Sequence, residues 1–307
     1  MRVAAIDCGT NAIRLLIADV SGSGSDVRLV DVARRMEIVR LGEGVDRTGL
    51  LAPAAIERTR KALLGYAAEI AELGVTRVRM CATSATRDAG NAHEFRDMVR
   101  GVLGIDPEVI TGEEEATLSF LGAVQGLDVP GPYLVFDLGG GSTEFVTGTT
   151  GVEHAISMDI GCVRMTERHL HSDPPTPAEI AAAEADITAA VDTALAAVGS
   201  SQARTLVGLA GTVTTVAALA LDLPGYDSSR IHHSRIEAAD VARVTSELLG
   251  MTVAERRALP VMHPGRADVI GAGALIERVI VERSGHATVI ASEHDILDGI
   301  AFGLAAP

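Results

Sequence analysis

Tryptophan is absent from the 307-residue chain, and all aromatics together make up 3% of it, yet hydrophobic residues reach 47%. The interior must therefore be built from Ala, Val, Leu and Ile. Lysine occurs once, at Lys61, so arginine carries nearly all of the positive charge. Lys and Arg number 26 against 41 Asp and Glu, a formal net charge of −15, and no basic block is present. The pairs Arg34-Arg35 and Arg256-Arg257 stand alone. A nucleic-acid binder shows the opposite balance, so no nucleic-acid partner is expected. An anionic ligand must be held by local loops and single arginines, not by the overall field. Cysteine is limited to Cys8, Cys81 and Cys162 with no CxxC spacing, which argues against a disulfide frame and for a reducing, cytoplasmic setting. Asp7 interrupts the segment MRVAAIDCGT where a secretory leader needs apolar residues. The uncharged run TLVGLAGTVTTVAALAL at 205–221 is shorter than the roughly 20 residues of a membrane helix. Rich in Gly and Thr, it reads as a buried strand, turn and helix, so no membrane partner is expected.

What is present is enough chain for two domains. Strands are expected at 3–7, 13–20 and 26–34, with SGSGS (21–25) as a turn. A helix over 53–73 has Pro53 at its start and Gly74 past its end. A buried strand at 78–83 follows. A helix then runs from Asn91 to Gly104, where Asn91 and Glu94 have capping-box spacing. A strand at 108–111 and a helix at 113–126 complete the first half. After GLDVPGP the pattern restarts with strands at 133–137, 142–148 and 151–157. A helix at about 177–198 opens on Thr176, Pro177 and Glu179. A strand at 205–210 and helices at 213–221, 237–249 and 264–283 follow, with a short helix capped by Thr252 and Glu255 before the last of these. A strand at 287–291 and a helix at 293–305 close the chain. Meanders alternating with helices give an α/β protein.

The two meanders repeat. AAIDCGTNAIRLLIADV and LVFDLGGGSTEFVTGTT superpose without a gap, matching Asp7 to Asp137 and Gly9 to Gly139. An internal repeat of this kind implies two similar domains.

Five segments carry candidate chemistry. In DLGGGSTEF (137–145) a glycine-rich turn between strands exposes several backbone N–H groups, a nest for phosphate oxygens. Ser142 and Thr143 add hydroxyls. Asp137 and Glu144 repel phosphate but suit a divalent cation bridging to it; a tight hairpin with solvated acids is the simpler alternative. The matching loop 9–14 favours phosphate. In ATSATRDAGN (82–91), Thr83, Ser84 and a helix start offer an anion site, and Arg87 a bidentate clamp. In TGEEEATLSFLGA (111–123) three acids open a helix, where the dipole already favours them. Helical spacing turns Glu115 inward with Leu118 and Gly122, and leaves Glu113 and Glu114 solvated. In GLAGTVTTVAA (208–218), Gly211 and Thr212 end a strand and turn into a helix, a nucleotide or phosphate geometry.

Together these segments resemble the exopolyphosphatase / guanosine pentaphosphate phosphohydrolase (Ppx/GppA) family, part of the actin and sugar-kinase superfamily. SEHDILDGIAFGL near the end is also similar to that family's last helix. The resemblance implies two ribonuclease-H-like (actin-like) domains flanking an interdomain cleft, residues 1–121 and 122–292, with a closing helix at 293–307 packing back onto the first. By motif, Glu115 resembles the family's catalytic carboxylate. Gly9, Thr10, Asn11, Arg87, Gly139, Gly140, Gly141 and Ser142 resemble its phosphate contacts, joined by Gly211 and Thr212. Asp137 and Glu144 resemble its metal-holding acids, with Asp7 as their counterpart in the first repeat.

The implied function is Mg²⁺-dependent (or other divalent-cation-dependent) hydrolysis of the terminal phosphate of inorganic polyphosphate. The acidic charge predicts a preference for short chains. Guanosine pentaphosphate is the alternative substrate. A weakly catalytic or non-catalytic polyphosphate or alarmone sensor is another reading, motivated by Ala12 where the family has Ser or Thr, and a kinase on the same fold a weaker one. A homodimer is implied by the resemblance alone. His294-Asp295 is expected in the closing helix and His232-His233 as a surface pair, neither as a metal site. Longer relatives carry an extra helical domain, so the chain resembles a short, two-domain form.

Overall fold

A computed structural model describes residues 1–22 and 27–305. The chain divides into two compact units, one of Met1–Gly122 with the residues from Ile296 onward, the other of Ala123–Asp295. In chain order, the first unit begins with the antiparallel meander β1 (Arg2–Cys8), β2 (Ala12–Ser21) and β3 (Arg28–Ile38). Helices α1 (Val45–Thr48) and α2 (Pro53–Glu72) lead to β4 (Arg77–Ala82), parallel to β1. Next come α3 (Ser84–Asp88), α4 (Ala92–Leu103), β5 (Glu108–Val109) and α5 (Gly112–Val124).

The second unit repeats the plan. The meander β6 (Tyr133–Leu138), β7 (Thr143–Gly148) and β8 (Val152–Met158) precedes α6 (Cys162–His169), α7 (Pro177–Ala197) and β9 (Thr205–Leu209). Then follow α8 (Ala210–Ala220), α9 (Ser228–Ile231), β10 (Arg235–Glu237), α10 (Ala238–Gly250), α11 (Val253–Arg257), α12 (Ile270–Ser284) and β11 (Thr288–Ser292); α13 (Ile296–Ala305) belongs to the first unit.

The sheet orders are β3-β2-β1-β4-β5 and, read from the meander, β8-β7-β6-β9-β11-β10. The first five positions of the second sheet match the first sheet in order and direction: two antiparallel pairs, then two parallel ones. These are two similar domains, as the repeat implied, with the ribonuclease-H-like α/β architecture that the family resemblance implied.

Alternate side chains of a strand face opposite sides, and β1 uses both. Ala4, Ile6 and Cys8 enter a core with Leu63, Phe95 and Val99 from α2 and α4. Val3 and Ala5 join Ile296, Ile300, Ala301 and Leu304 of α13. Cover on both faces explains why VAAI is apolar at every position. At the crossing of α13 and α5, a Cβ on Gly299 would lie 2.0 Å from the Leu118 carbonyl oxygen, so only glycine permits this contact. Asp298 accepts from Arg34 Nη2 at 2.7 Å.

Several expectations shift by a few residues for identifiable reasons. Strand β3 runs on to Ile38, and residues 23–26, which include most of the expected SGSGS turn and the start of that strand, lie outside the described residues, as do 306–307. Asn91 does not form a capping box: its Oδ1 accepts from Leu51 N–H and its Nδ2 donates to Leu51 O. A tertiary contact has claimed the amide. The boxes at Thr176/Glu179 and Thr252/Glu255 do form. So does a similar reciprocal pair, Thr111 with Glu114, at the start of α5, where Glu114 is exposed as expected and also caps the helix. Segment 264–283 is a single 3₁₀ turn at Pro264–Arg266 followed by α12. His294-Asp295 precedes α13 and is not part of it. His232 and His233 are half-buried and stacked at 3.7 Å, with His294 4.3 Å from His232. No helix of the described residues is long and apolar enough to cross a membrane.

One buried acid sets a pH dependence. Glu277 of α12 is 1% exposed, and among the described residues its Oε2 has no hydrogen-bond partner. Burial pushes its carboxyl well above the ordinary range. Below about pH 4.5 the folded and unfolded chains both hold this proton, so it costs nothing. As pH rises, the unfolded chain releases the proton and the folded one keeps it, so stability falls by up to about 1.4 kcal/mol per pH unit. Glu277→Gln removes the titration. The melting temperature of the variant relative to wild type should therefore rise between pH 5 and pH 8; a difference constant with pH contradicts this.

Candidate active-site turns and side chains

In the first unit, the turn between β1 and β2 is closed by Gly9 N–H donating to Ala12 O at 3.0 Å. Its carbonyls are tied back. Thr10 O accepts from Gly42 N at 2.9 Å, and Asn11 O accepts from Val39 N and Arg40 N at 3.1 and 2.8 Å. In a trans peptide the N–H points opposite to the C=O of the same unit. The amides of Asn11 and Ala12 therefore face away from residues 39–42. The Thr10 and Ser84 hydroxyls bond each other at 2.7 Å, linking the turn to the start of α3. Asp7 lies opposite Arg14 in the β1–β2 register and accepts on Oδ2 from Arg14 Nε and Nη2 at 3.1 and 2.7 Å.

Arg87 of α3 and Glu115 of α5 meet. Arg87 Nη1 donates to Glu115 Oε2 and to Ile110 O, each at 3.1 Å. Glu115 is 8% exposed, whereas Glu113 and Glu114 are exposed, the inward turn expected from helical phase.

The second unit repeats the turn with a different brace. Gly139 N–H donates to Ser142 O at 3.0 Å, the same closure as in the first. Its carbonyls are held by the start of α6. Gly139 O accepts from Cys162 N at 3.0 Å, and Gly140 O from Val163 N and Arg164 N at 2.8 and 3.1 Å. Gly141 O accepts from the Arg164 side chain, Nε, at 2.7 Å. Three successive peptides are thus turned the same way. Among the described residues, none of the amides of Gly140, Gly141 and Ser142 donates within the protein. The closeness of α6 depends on Gly161, where a Cβ would lie 2.4 Å from Gly140 C and O and 2.5 Å from Gly141 N.

Asp137 and Glu144 face each other across β6 and β7, 7% and 0% exposed, and Ser157 Oγ donates to Glu144 Oε1 at 2.7 Å. Thr143, expected to offer its hydroxyl outward, is fully buried and donates to Ile160 O. It alternates to the core side of β7, and so is not a phosphate contact.

Gly211 and Thr212 fall inside α8, which begins one turn earlier than expected. A Cβ on Thr212's neighbour Gly211 would sit 1.8 Å from Arg266 Nη1, so the Arg266 guanidinium covers that glycine. The Thr212 side chain packs against Gly273 and Cys162, within the unit. Burial pushes the Cys162 thiol up to about 11, which keeps it protonated and inert. Sequence reading missed α6, Arg164 and Arg266. The one available signal was Gly161 followed by an amphipathic CVRMTERH.

A family model described as the Ppx/GppA phosphatase family matches residues 16–306. The chain belongs to the Ppx/GppA phosphatase family. The family's curated members include exopolyphosphatase 2 of Mycobacterium tuberculosis, 54% identical over 99% of this chain and 98% of that protein. Among solved structures, an exopolyphosphatase-like protein superposes with a TM-score of 0.94 at 45% identity, covering 99% of each chain. The Ppx/GppA enzyme of Aquifex aeolicus superposes at 0.82 with 33% identity, again over 99% of each chain.

Proposed function

We propose that this Ppx/GppA family member is an exopolyphosphatase, releasing terminal phosphate from inorganic polyphosphate by attack of water. The observation that carries the reading is the pair of turns whose carbonyls are tied back and whose amides face out. Backbone donors fixed in this way bind phosphoryl oxygens without reorganising as charge develops. The full-length similarity to a relative named exopolyphosphatase 2 supports the same substrate.

In the proposed mechanism the amides of Asn11, Ala12, Gly140, Gly141 and Ser142 hold phosphoryl oxygens. Arg87 adds a charge-assisted contact to the terminal group while it orients Glu115. Glu115 positions the attacking water and accepts its proton, the role for which its burial and inward direction suit it. Positioning and charge stabilisation supply most of the rate, as in phosphoryl transfer generally.

The donor set fits a divalent cation. Asp137 and Glu144 are hard, buried oxygen ligands on adjacent strands. No group of three or more His, Cys, Asp or Glu side chains able to hold a metal gathers among the described residues. Two carboxylates completed by water and substrate phosphate are what Mg²⁺ takes. Bound there, Mg²⁺ would offset charge on the phosphate chain. Asp7 already engages Arg14.

Two assays test the proposal. Initial rates of phosphate release, with Mg²⁺ and with a chelator, should be higher on polyphosphate than on guanosine pentaphosphate; the reverse order transfers the reading to the alarmone, and tight binding of either without turnover makes the protein a sensor. The net charge of −15 opposes a long polyanion wherever its phosphates run within the screening distance of about 8 Å from the protein's own acids. Rates per chain end should therefore stay level or fall as chains lengthen, and rates that climb with length contradict the short-chain preference.

A further inference from the structure

The three carbonyls of the second-unit turn are not held alike. Those of Gly139 and Gly140 are fixed by backbone N–H groups of α6, which the helix supplies whatever its side chains. The carbonyl of Gly141 is held by a side chain, Arg164 Nε, at 2.7 Å. The Arg164 side chain is only 12% exposed and its Nη2 lies 3.8 Å from Asp159 Oδ1. Its own backbone N–H bonds Gly140 O, so one residue grips two successive peptides of the turn.

We propose that Arg164 is a positioning residue for phosphate: its guanidinium fixes the Gly141–Ser142 peptide so that the Ser142 amide points to the ligand. This rests on the reading of the turn as a phosphate site. A peptide between a glycine and a serine has little local preference to hold one plane, because Gly141 accepts most backbone conformations. Without the Nε contact the peptide rotates, and a donor aimed at the phosphoryl group is lost. Arg164 makes this contribution without touching substrate, and its charge lies behind the turn, where it also favours an anion.

The test is a titration of the ¹⁵N-labelled protein with inorganic phosphate, following backbone amide resonances in wild type, Arg164→Met and Arg164→Lys. In wild type the Gly140, Gly141 and Ser142 amides should shift together. In Arg164→Met, Gly140 and Gly141 should still shift while Ser142 does not, and phosphate should bind about 10-fold more weakly, the order expected for one charged-acceptor hydrogen bond. Arg164→Lys, whose ammonium can reach the same carbonyl, should recover part of the Ser142 shift. If Ser142 shifts unchanged in a folded Arg164→Met protein, the positioning role is overturned and the site stands. If none of the three amides responds in wild type, the phosphate site itself fails, and the proposal with it. Should Arg164→Met not fold, Arg164→Lys alone decides: a Ser142 response intermediate between full and absent supports the role, and a wild-type response with wild-type affinity overturns it.

Discussion

Glu115→Gln should lower kcat by roughly 10²–10⁴, the span attributed to a positioned general base, while leaving the melting temperature close to that of wild type. The substitution keeps the shape of the side chain. The Gln oxygen can still accept from Arg87 Nη1, as Oε2 does at 3.1 Å, and the backbone anchor from Glu115 N to Thr111 O at 2.9 Å is untouched. What is lost is the negative charge and the capacity to take a proton. Because the loss falls on a step after binding, KM should change far less than kcat. Steady-state kinetics beside thermal melts separate the two. Wild-type kcat in Glu115→Gln would remove the residue from the mechanism.

Gly161→Ala should be nearly as damaging although residue 161 touches no substrate. Gly161 has φ −141° and ψ 162°, an extended backbone that any residue adopts, so the requirement for glycine is purely one of space. The added methyl meets backbone atoms of Gly140 and Gly141 at 2.4–2.5 Å, and backbone cannot rotate aside as a side-chain end can. Either α6 or the glycine turn must withdraw, and the amides of the turn move with it. A displacement on the order of 1 Å in a positioning element costs about 10²-fold in rate, and overpacking adds about 1–3 kcal/mol of instability. Expected is a fall of about 10² in kcat/KM together with a lowered melting temperature. Unchanged kinetics would show that the turn does not depend on its distance from α6.

Much of this arrangement was legible in the sequence, and the parts that were not share a physical cause. The repeat was readable because local patterning wrote it twice: an apolar strand, an acid, a glycine turn and a second strand, with the same closing bond at Gly9–Ala12 and Gly139–Ser142. Glu115 was readable because helical phase alone decides which of three successive acids turns inward. The caps at Thr176 and Thr252 were readable because both partners lie within one turn of chain. Asn91 has the same local spacing, but its amide serves the Leu51 backbone 40 residues earlier, a contact no local rule anticipates. Arg164 is the sharper example. It acts on a carbonyl 23 residues away, through a helix of eight residues that the sequence reading left unassigned. Arg266 covers Gly211 from a 3₁₀ turn where an unbroken helix was expected. The start of α8 was misplaced because Ala210 adopts φ 74°, a left-handed conformation that sequence rules reserve for glycine. For Asn91, Arg164 and Arg266, side chain and target are joined by the tertiary fold.

The most direct test of the central claim is the product distribution from polyphosphate of a single defined length, incubated with the protein and Mg²⁺ and resolved over time. Removal of phosphate from chain ends predicts orthophosphate from the first time point and a ladder of chains each shorter by one unit. Chains that stay intact while bound, or that break internally without early orthophosphate, would contradict it.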